Sequence, residues 1–193
     1  MNLVYGHGFN DRSISSVSFG KSTKEYSNWK RMLERCYSKA MQEKCPTYKK
    51  CFVDDKFKSF SYFYEWWQKQ IGFGLKGWEL DKDLLIKGNN IYSEESCVFL
   101  PQEINKILTN RKASRGKYPI GVNFELKSNK LRSQISINGK RKFLGYFDSE
   151  IHAFNAYKLA KEMHMKDIAE KYKGIIDNKA YNALMSYEVN IND

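Results

Sequence analysis

Histidine is scarce in this chain. Among 193 residues there are three, His7, His152 and His164, and none lies between the first two. Most of the chain therefore lacks the commonest general base and metal ligand. The four cysteines (Cys36, Cys45, Cys51, Cys97) include no Cys-x-x-Cys pair. That spacing argues for buried free thiols rather than a structural zinc site. No run of ~18 apolar residues exists, so no membrane-spanning helix is expected. The opening stretch MNLVYGHGFNDRS has no basic segment leading into an apolar one. No secretory signal is expected, and the chain reads as cytoplasmic. Acid is nearly missing from one long window. Between Lys106 and Lys142, Glu125 stands alone against Lys106, Arg111, Lys112, Arg115, Lys117, Lys127, Lys130, Arg132, Lys140, Arg141 and Lys142.

The whole chain carries 33 Lys and Arg against 22 Asp and Glu, a formal net charge of +11. Most of that excess sits in the acid-poor window, and charge concentrated in this way is the electrostatic footprint of a polyanion binder. Aromatic residues make up 15% of the chain, enough to build a core. EYSNWKRMLERCYSKAMQ spaces Trp29, Met32, Leu33, Cys36 and Tyr37 as one helical face, and CPTYKKC breaks it. FKSFSYFYEWWQKQI predicts a second helix, with Phe57, Phe60, Phe63, Tyr64, Trp67 and Ile71 on one stripe. Such a stripe serves a core more often than a base-stacking platform. WELDKDLL reads as a strand, KGNN as a turn, and PQEINKILTN as a helix opening at Pro101.

RKASRGKYP, residues 111–119, is a basic linker and the expected boundary between a region 1–110 and a domain 120–193. After it the pattern changes to three short strands, IGVNFEL, LRSQISI and KFLGYF, the last two joined by an Asn-Gly hairpin turn. Ser149 is placed to cap a helix whose narrow face is Ala153, Ala156, Tyr157 and Ala160. The expected fold class is α+β, with an antiparallel three-stranded sheet packed on a helix. Alternation sends Leu131, Ile135 and Leu144 to the helix side. It leaves Asn123, Arg132, Gln134, Ser136, Arg141 and Phe143 on the other face. Arginine, glutamine and asparagine can read base edges, while serine and lysine serve phosphates. Lys127, Lys130 and Lys140, with Arg111, Lys112 and Arg115 of the linker, complete the candidate double-stranded DNA surface.

Several residues in this span recur in a known pattern: Gly121-Val122, Ile135, Leu144-Gly145-Tyr146-Phe147 and Ala153 with Ala156-Tyr157. From Tyr118 to Glu162 the chain resembles the AP2 DNA-binding domain. The resemblance implies a sheet laid in the major groove, with Tyr146 a further contact. Base-contacting positions depart from the family, and Glu125 puts an acid on the DNA side, so no target sequence carries over. A sheet-and-helix module that binds protein or RNA is the other reading.

The segment GWELDKDLLIKGNNIYSEESC, with the helix after it, resembles a degenerate HNH endonuclease region, as in HNH/AP2 proteins of phages and mobile elements. By role, Asp81 is the strand metal ligand, Asn89 or Asn90 the orienting residue and Asn105 the helix ligand. Mg²⁺ or Mn²⁺ is the implied ion. The base position falls on Lys82, and a lysine with an ordinary pKa of about 10.4 cannot take a proton from water at neutral pH. Asp83 can substitute, and His7 can serve only by folding back. Three functions follow: a phage or mobile-element DNA-binding protein with an impaired nuclease region, an active metal-dependent endonuclease, or a protein that binds and blocks a host defence protein. If phage-encoded, the chain is expected to act in the cytoplasm of a bacterial host.

Overall fold

The computed structural model describes residues 3–109 and 116–193. They form an α+β protein of two compact units. The first comprises Met1–Lys106 with Gly174–Ala180, and the second Ile107–Lys173 with Tyr181–Asp193. The linker residues Arg111, Lys112 and Arg115 lie outside the described residues. No helix among the described residues is long and apolar enough to cross a membrane.

The first unit opens with a small hairpin, β1 (Val17–Ser18) and β2 (Lys21–Ser22). Helix α1 (Lys24–Tyr37) follows, with the Thr23 hydroxyl accepting from the Tyr26 amide. Its Trp29, Met32, Leu33 and Cys36 are buried, as their spacing predicts. The helix does not run on. Ser38 takes an extended conformation and caps a separate short helix, α2 (Lys39–Lys44). A 3₁₀ turn at Pro46–Lys50 and strand β3 (Phe52–Val53) come next. The second expected helix is also two pieces, α3 (Asp55–Lys58) and α4 (Phe60–Gln68). The cause is again a serine. Ser59 is extended and its hydroxyl accepts from the Tyr62 amide, a local bond that competes with helix continuation.

The aromatic stripe is core. Phe57, Phe60 and Phe63 are fully buried and Trp67 nearly so, while Ile71 lies beyond the end of α4 and is exposed. The rings meet edge-on, Phe57 with Phe63 at 5.3 Å and Trp67 with Phe99 at 4.4 Å between centroids. Tilted and edge contacts of this kind each add about 0.5–1.5 kcal/mol beyond area burial. Trp29 Nε1 donates to the Phe57 carbonyl at 2.8 Å, which satisfies the indole donor within this buried packing.

The rest of the first unit is a set of short pairings. The strand expected over WELDKDLL stops early, as β4 (Trp78–Asp81). Strand β5 (Ile91–Tyr92) pairs in parallel with β3. A further strand, β6 (Val98–Pro101), pairs antiparallel with β4 and is buried throughout. Pro101 therefore ends a strand, and helix α5 (Gln102–Leu108) starts one residue later.

The second unit carries a three-stranded antiparallel sheet in the order β7 (Val122–Glu125), β8 (Lys130–Ile137), β9 (Lys140–Phe147). The β8–β9 turn places Asn138 and Gly139 at φ +52 and +75, the left-handed pair a two-residue hairpin demands. Helix α6 (Glu150–Lys171) is capped by Ser149, whose hydroxyl accepts from the His152 amide. It runs unbroken for 22 residues, and α7 (Asn178–Met185) follows. Ala153, Phe154 and Tyr157 bury against Val122, Leu131 and Ile135. Tyr118, from the expected linker, also packs on this core.

Two consequences are measurable. Gly121 stands at φ +78, and a Cβ there would lie 2.0 Å from Tyr157 Cδ2. Overpacking and left-handed strain together make Gly121→Ala cost about 2–4 kcal/mol in chemical denaturation. The second concerns Lys161, whose Nζ donates to the Ile107 carbonyl at 2.5 Å and whose pKa burial lowers from 10.5 to about 8. Between those values the unfolded chain holds the extra proton, so stability rises with pH. Wild type should gain on the order of 2 kcal/mol relative to Lys161→Met between pH 7.5 and 9.5.

Candidate nucleic-acid interface and the hairpin loop

Register determines what the sheet offers to a partner. Asn123 lies opposite Arg132, and Arg132 opposite Tyr146. Gln134 lies opposite Phe143, and Ser136 opposite Arg141. Leu131, Ser133 and Ile135 alternate with these residues and are buried on the α6 side. Hence Asn123, Arg132, Gln134, Ser136, Arg141, Phe143 and Tyr146 share the outer face, as alternation predicts for the first six. Lys130 also faces outward and reaches Asp148 at 3.3 Å, while Lys127 is exposed in the β7–β8 turn. Lys140 differs. It pairs with Ile137, on the opposite face from Arg141, at the hairpin end.

A bulge completes the face. Ser133 pairs with Gly145 but Gln134 pairs with Phe143, so Leu144 has no opposite number. Strict alternation would send Phe143 and Tyr146 to opposite sides. The extra residue rephases β9 and turns both outward, about half exposed, with ring centroids 4.9 Å apart. Leu144 and Phe147 go to the core side. Gly145 stands at φ +141, and a Cβ there would press on the Phe147 ring at 3.1 Å. The Leu-Gly pair in LGYF is the only mark this device leaves in the sequence.

Glu125 is engaged on the same face. Its Oε2 accepts from Arg132 Nη1 at 3.2 Å. The Arg132 Nε and Asn123 Oδ1 are buried without hydrogen-bond partners. Beside them lies a cleft of about 310 Å³ bounded by Tyr118, Gly121, Asn123, Arg132 and Gln134.

The hairpin loop in the first unit is built differently. β4 and β6 pair antiparallel and α5 follows, a strand–strand–helix order interrupted in the chain by β5, which pairs with β3 instead. Asp81 Oδ1 accepts the backbone amides of Asp83 at 2.9 Å and Leu84 at 2.8 Å. Burial raises the Asp81 pKa, the two amides and Lys82 oppose it, and the rise prevails. Lys82 is 6% exposed, and its Nζ donates to Asp83 Oδ1 at 2.5 Å and to the Asn89 carbonyl at 3.0 Å. Burial alone would lower its pKa, but the Asp83 hydrogen bond and charge, with Cys51 and Asp81, carry it above the ordinary value. It is an ammonium at neutral pH.

Asn89 closes the loop. Its amide donates to the Lys82 and Ile91 carbonyls, and its Oδ1 accepts the Ile91 amide. Asn90 is exposed, and its carbonyl accepts the Phe52 amide. Asn105 Nδ2 donates to Glu79 Oε2 at 3.2 Å, and Gln102 reaches the same carboxylate. Sequence reading passed over Glu79, for which only its place two residues before Asp81 on one strand face was a signal. His7 stacks on Tyr37 at 3.7 Å.

As arranged, these residues do not fit a divalent ion. Asp81 is turned into its own loop, and Asn105 is bonded to Glu79 instead of sharing a site with it. No group of three or more His, Cys, Asp or Glu among the described residues is placed to hold a metal. The cysteines are free, and burial pushes Cys36 and Cys97 up to about 12, which keeps them as thiols.

No protein-family model, curated protein or solved structure matches this chain.

The loop makes its own prediction. Asp81→Ala strands two amides and should cost about 1–3 kcal/mol. Asp81→Asn keeps an Oδ1 acceptor and should cost less than about 1 kcal/mol on the same urea curves.

Proposed function

We propose that this chain binds double-stranded DNA through the outer face of its three-stranded sheet, in the manner of an AP2-type domain, as a DNA-binding protein of phage or mobile-element kind. The observation that carries the reading is the composition of one face. Base-reading side chains, cations and two aromatic rings stand together on a sheet whose other side packs on a helix. A three-stranded sheet supported from behind can enter a major groove, where arginine, glutamine and asparagine find distinct edge patterns. Exposed lysines at its rim and the basic segment before it supply phosphate contacts.

The hairpin of the first unit, in our reading, is an HNH-like scaffold that does not cut. Lys82 stands at the base position as a protonated, hydrogen-bonded ammonium, and Asp81 serves its own loop. Metal-dependent cleavage is the second reading. The strand–strand–helix order favours it, with the Asp83 carboxylate exposed beside Lys82.

The test is duplex binding against salt. The logarithm of affinity falls with that of salt, by about 0.9 per phosphate neutralised. Arg141→Ala should weaken binding several-fold and reduce that slope by about one contact, and Gln134→Ala should relax base preference without changing the slope. If the triple variant Arg132→Ala, Gln134→Ala, Arg141→Ala binds as wild type does, the sheet is not the interface. In a plasmid assay with Mg²⁺ and with Mn²⁺, no nicking is expected. Nicking that disappears in the well-folded Asp81→Asn variant would establish the second reading.

A further inference from the structure

Glu125 is the one acid between Lys106 and Lys142, and it lies on the outer face of β7. A carboxylate there opposes polyanion binding twice, by cancelling a cation and by repelling phosphate. Its side chain, a quarter exposed, lies outside the hydrophobic core cluster. Among the described residues, its carboxylate forms a cross-strand ion pair with Arg132, diagonal to it, at 3.2 Å. The guanidinium is thereby held at one end, beside Asn123 and Gln134.

We propose that Glu125 is a specificity-determining, positioning residue of this face, which braces Arg132 for a guanine edge and discourages its use on phosphates. The proposal rests on the DNA-binding reading above and deepens it. An unbraced arginine on a basic surface swings to the nearest phosphate, and that contact carries no sequence information. An arginine held by a carboxylate keeps its fork in one orientation. The base that rewards such a fork is guanine, which offers O6 and N7 as paired acceptors. A backbone phosphate approaching Arg132 meets the Glu125 charge, whereas guanine brings no net charge. The carboxylate therefore lowers non-specific affinity and raises the ratio of specific to non-specific binding. The buried, unpartnered Nε of Arg132 fits this role. The side chain is held by the brace at the expense of one of its own hydrogen bonds.

The experiment is selection from a randomised duplex pool with the full chain, followed by affinity and salt slope on the selected and on a scrambled duplex. The proteins are wild type, Glu125→Gln, Glu125→Ala and Arg132→Lys, each first checked by thermal melting. Wild type should select a site with one fixed guanine. Glu125→Ala should bind the scrambled duplex about 3–10-fold tighter, steepen the salt slope by about one contact, and lose the fixed guanine. Arg132→Lys should lose the guanine without tightening scrambled binding. Glu125→Gln, which still accepts from Arg132 but has no charge, should tighten scrambled binding and keep the guanine. That separation of charge from brace is not expected of a merely structural residue. An unchanged base preference and salt slope in Glu125→Ala would overturn the proposal. So would a wild type that binds duplex with no base preference, although the DNA-binding reading would then stand. A wild type that binds no duplex would overturn both.

Discussion

The contact of Ala153, Phe154 and Tyr157 on α6 with Val122, Leu131 and Ile135 on the sheet is the constraint on which the candidate interface depends. Side chains in a strand alternate between faces, so burying one set commits the other to the outside. With Leu131 and Ile135 turned to the helix, Arg132, Gln134 and Ser136 have no other place to go. A slip of one residue would bury an arginine and a glutamine and expose two aliphatic side chains. Gly121 belongs to the same constraint, because the Tyr157 ring lies where any side chain at that position would stand. The chemistry of the outer face is thus a consequence of how its back is packed.

The bulge at Leu144 is the one place where the sheet escapes strict alternation, and it does so to local advantage. It sends Leu144 and Phe147 to the core side while Phe143 and Tyr146 face outward. The first unit shows the opposite use of polar groups. Lys82, Asp83, Asp81 and Asn89 bond to one another and to the backbone of residues 82–91, so that the loop holds its own shape. A constellation whose hydrogen bonds are already committed inward is suited to holding a conformation.

Much of this was legible in the sequence, and the failures share a cause. The faces of α1 and β8, the Asn-Gly turn and the Ser149 cap each follow from a strong local pattern. The breaks at Ser38 and Ser59 did not show, because apolar spacing continues across them and only the serine hydroxyls reveal the caps. Strand β6 was hidden because its four residues are all buried, leaving no alternation to read. For the candidate sites, the outer face could be read from β8 alone, but the pairing of Glu125 with Arg132 needed the register of β7. The order of roles along LDKD suggested a metal site. That Asp81 turns back onto its own loop depends on three-dimensional closure by Asn89, which no linear spacing encodes.

The most direct test of the central claim is backbone amide chemical-shift mapping of the full chain with a short duplex. Shifts concentrated at Asn123, Arg132, Gln134, Ser136, Arg141, Phe143 and Tyr146, with α6 little changed, are the predicted result. Shifts confined to the first unit, or spread along the solvent side of α6 with β8 and β9 silent, would contradict it.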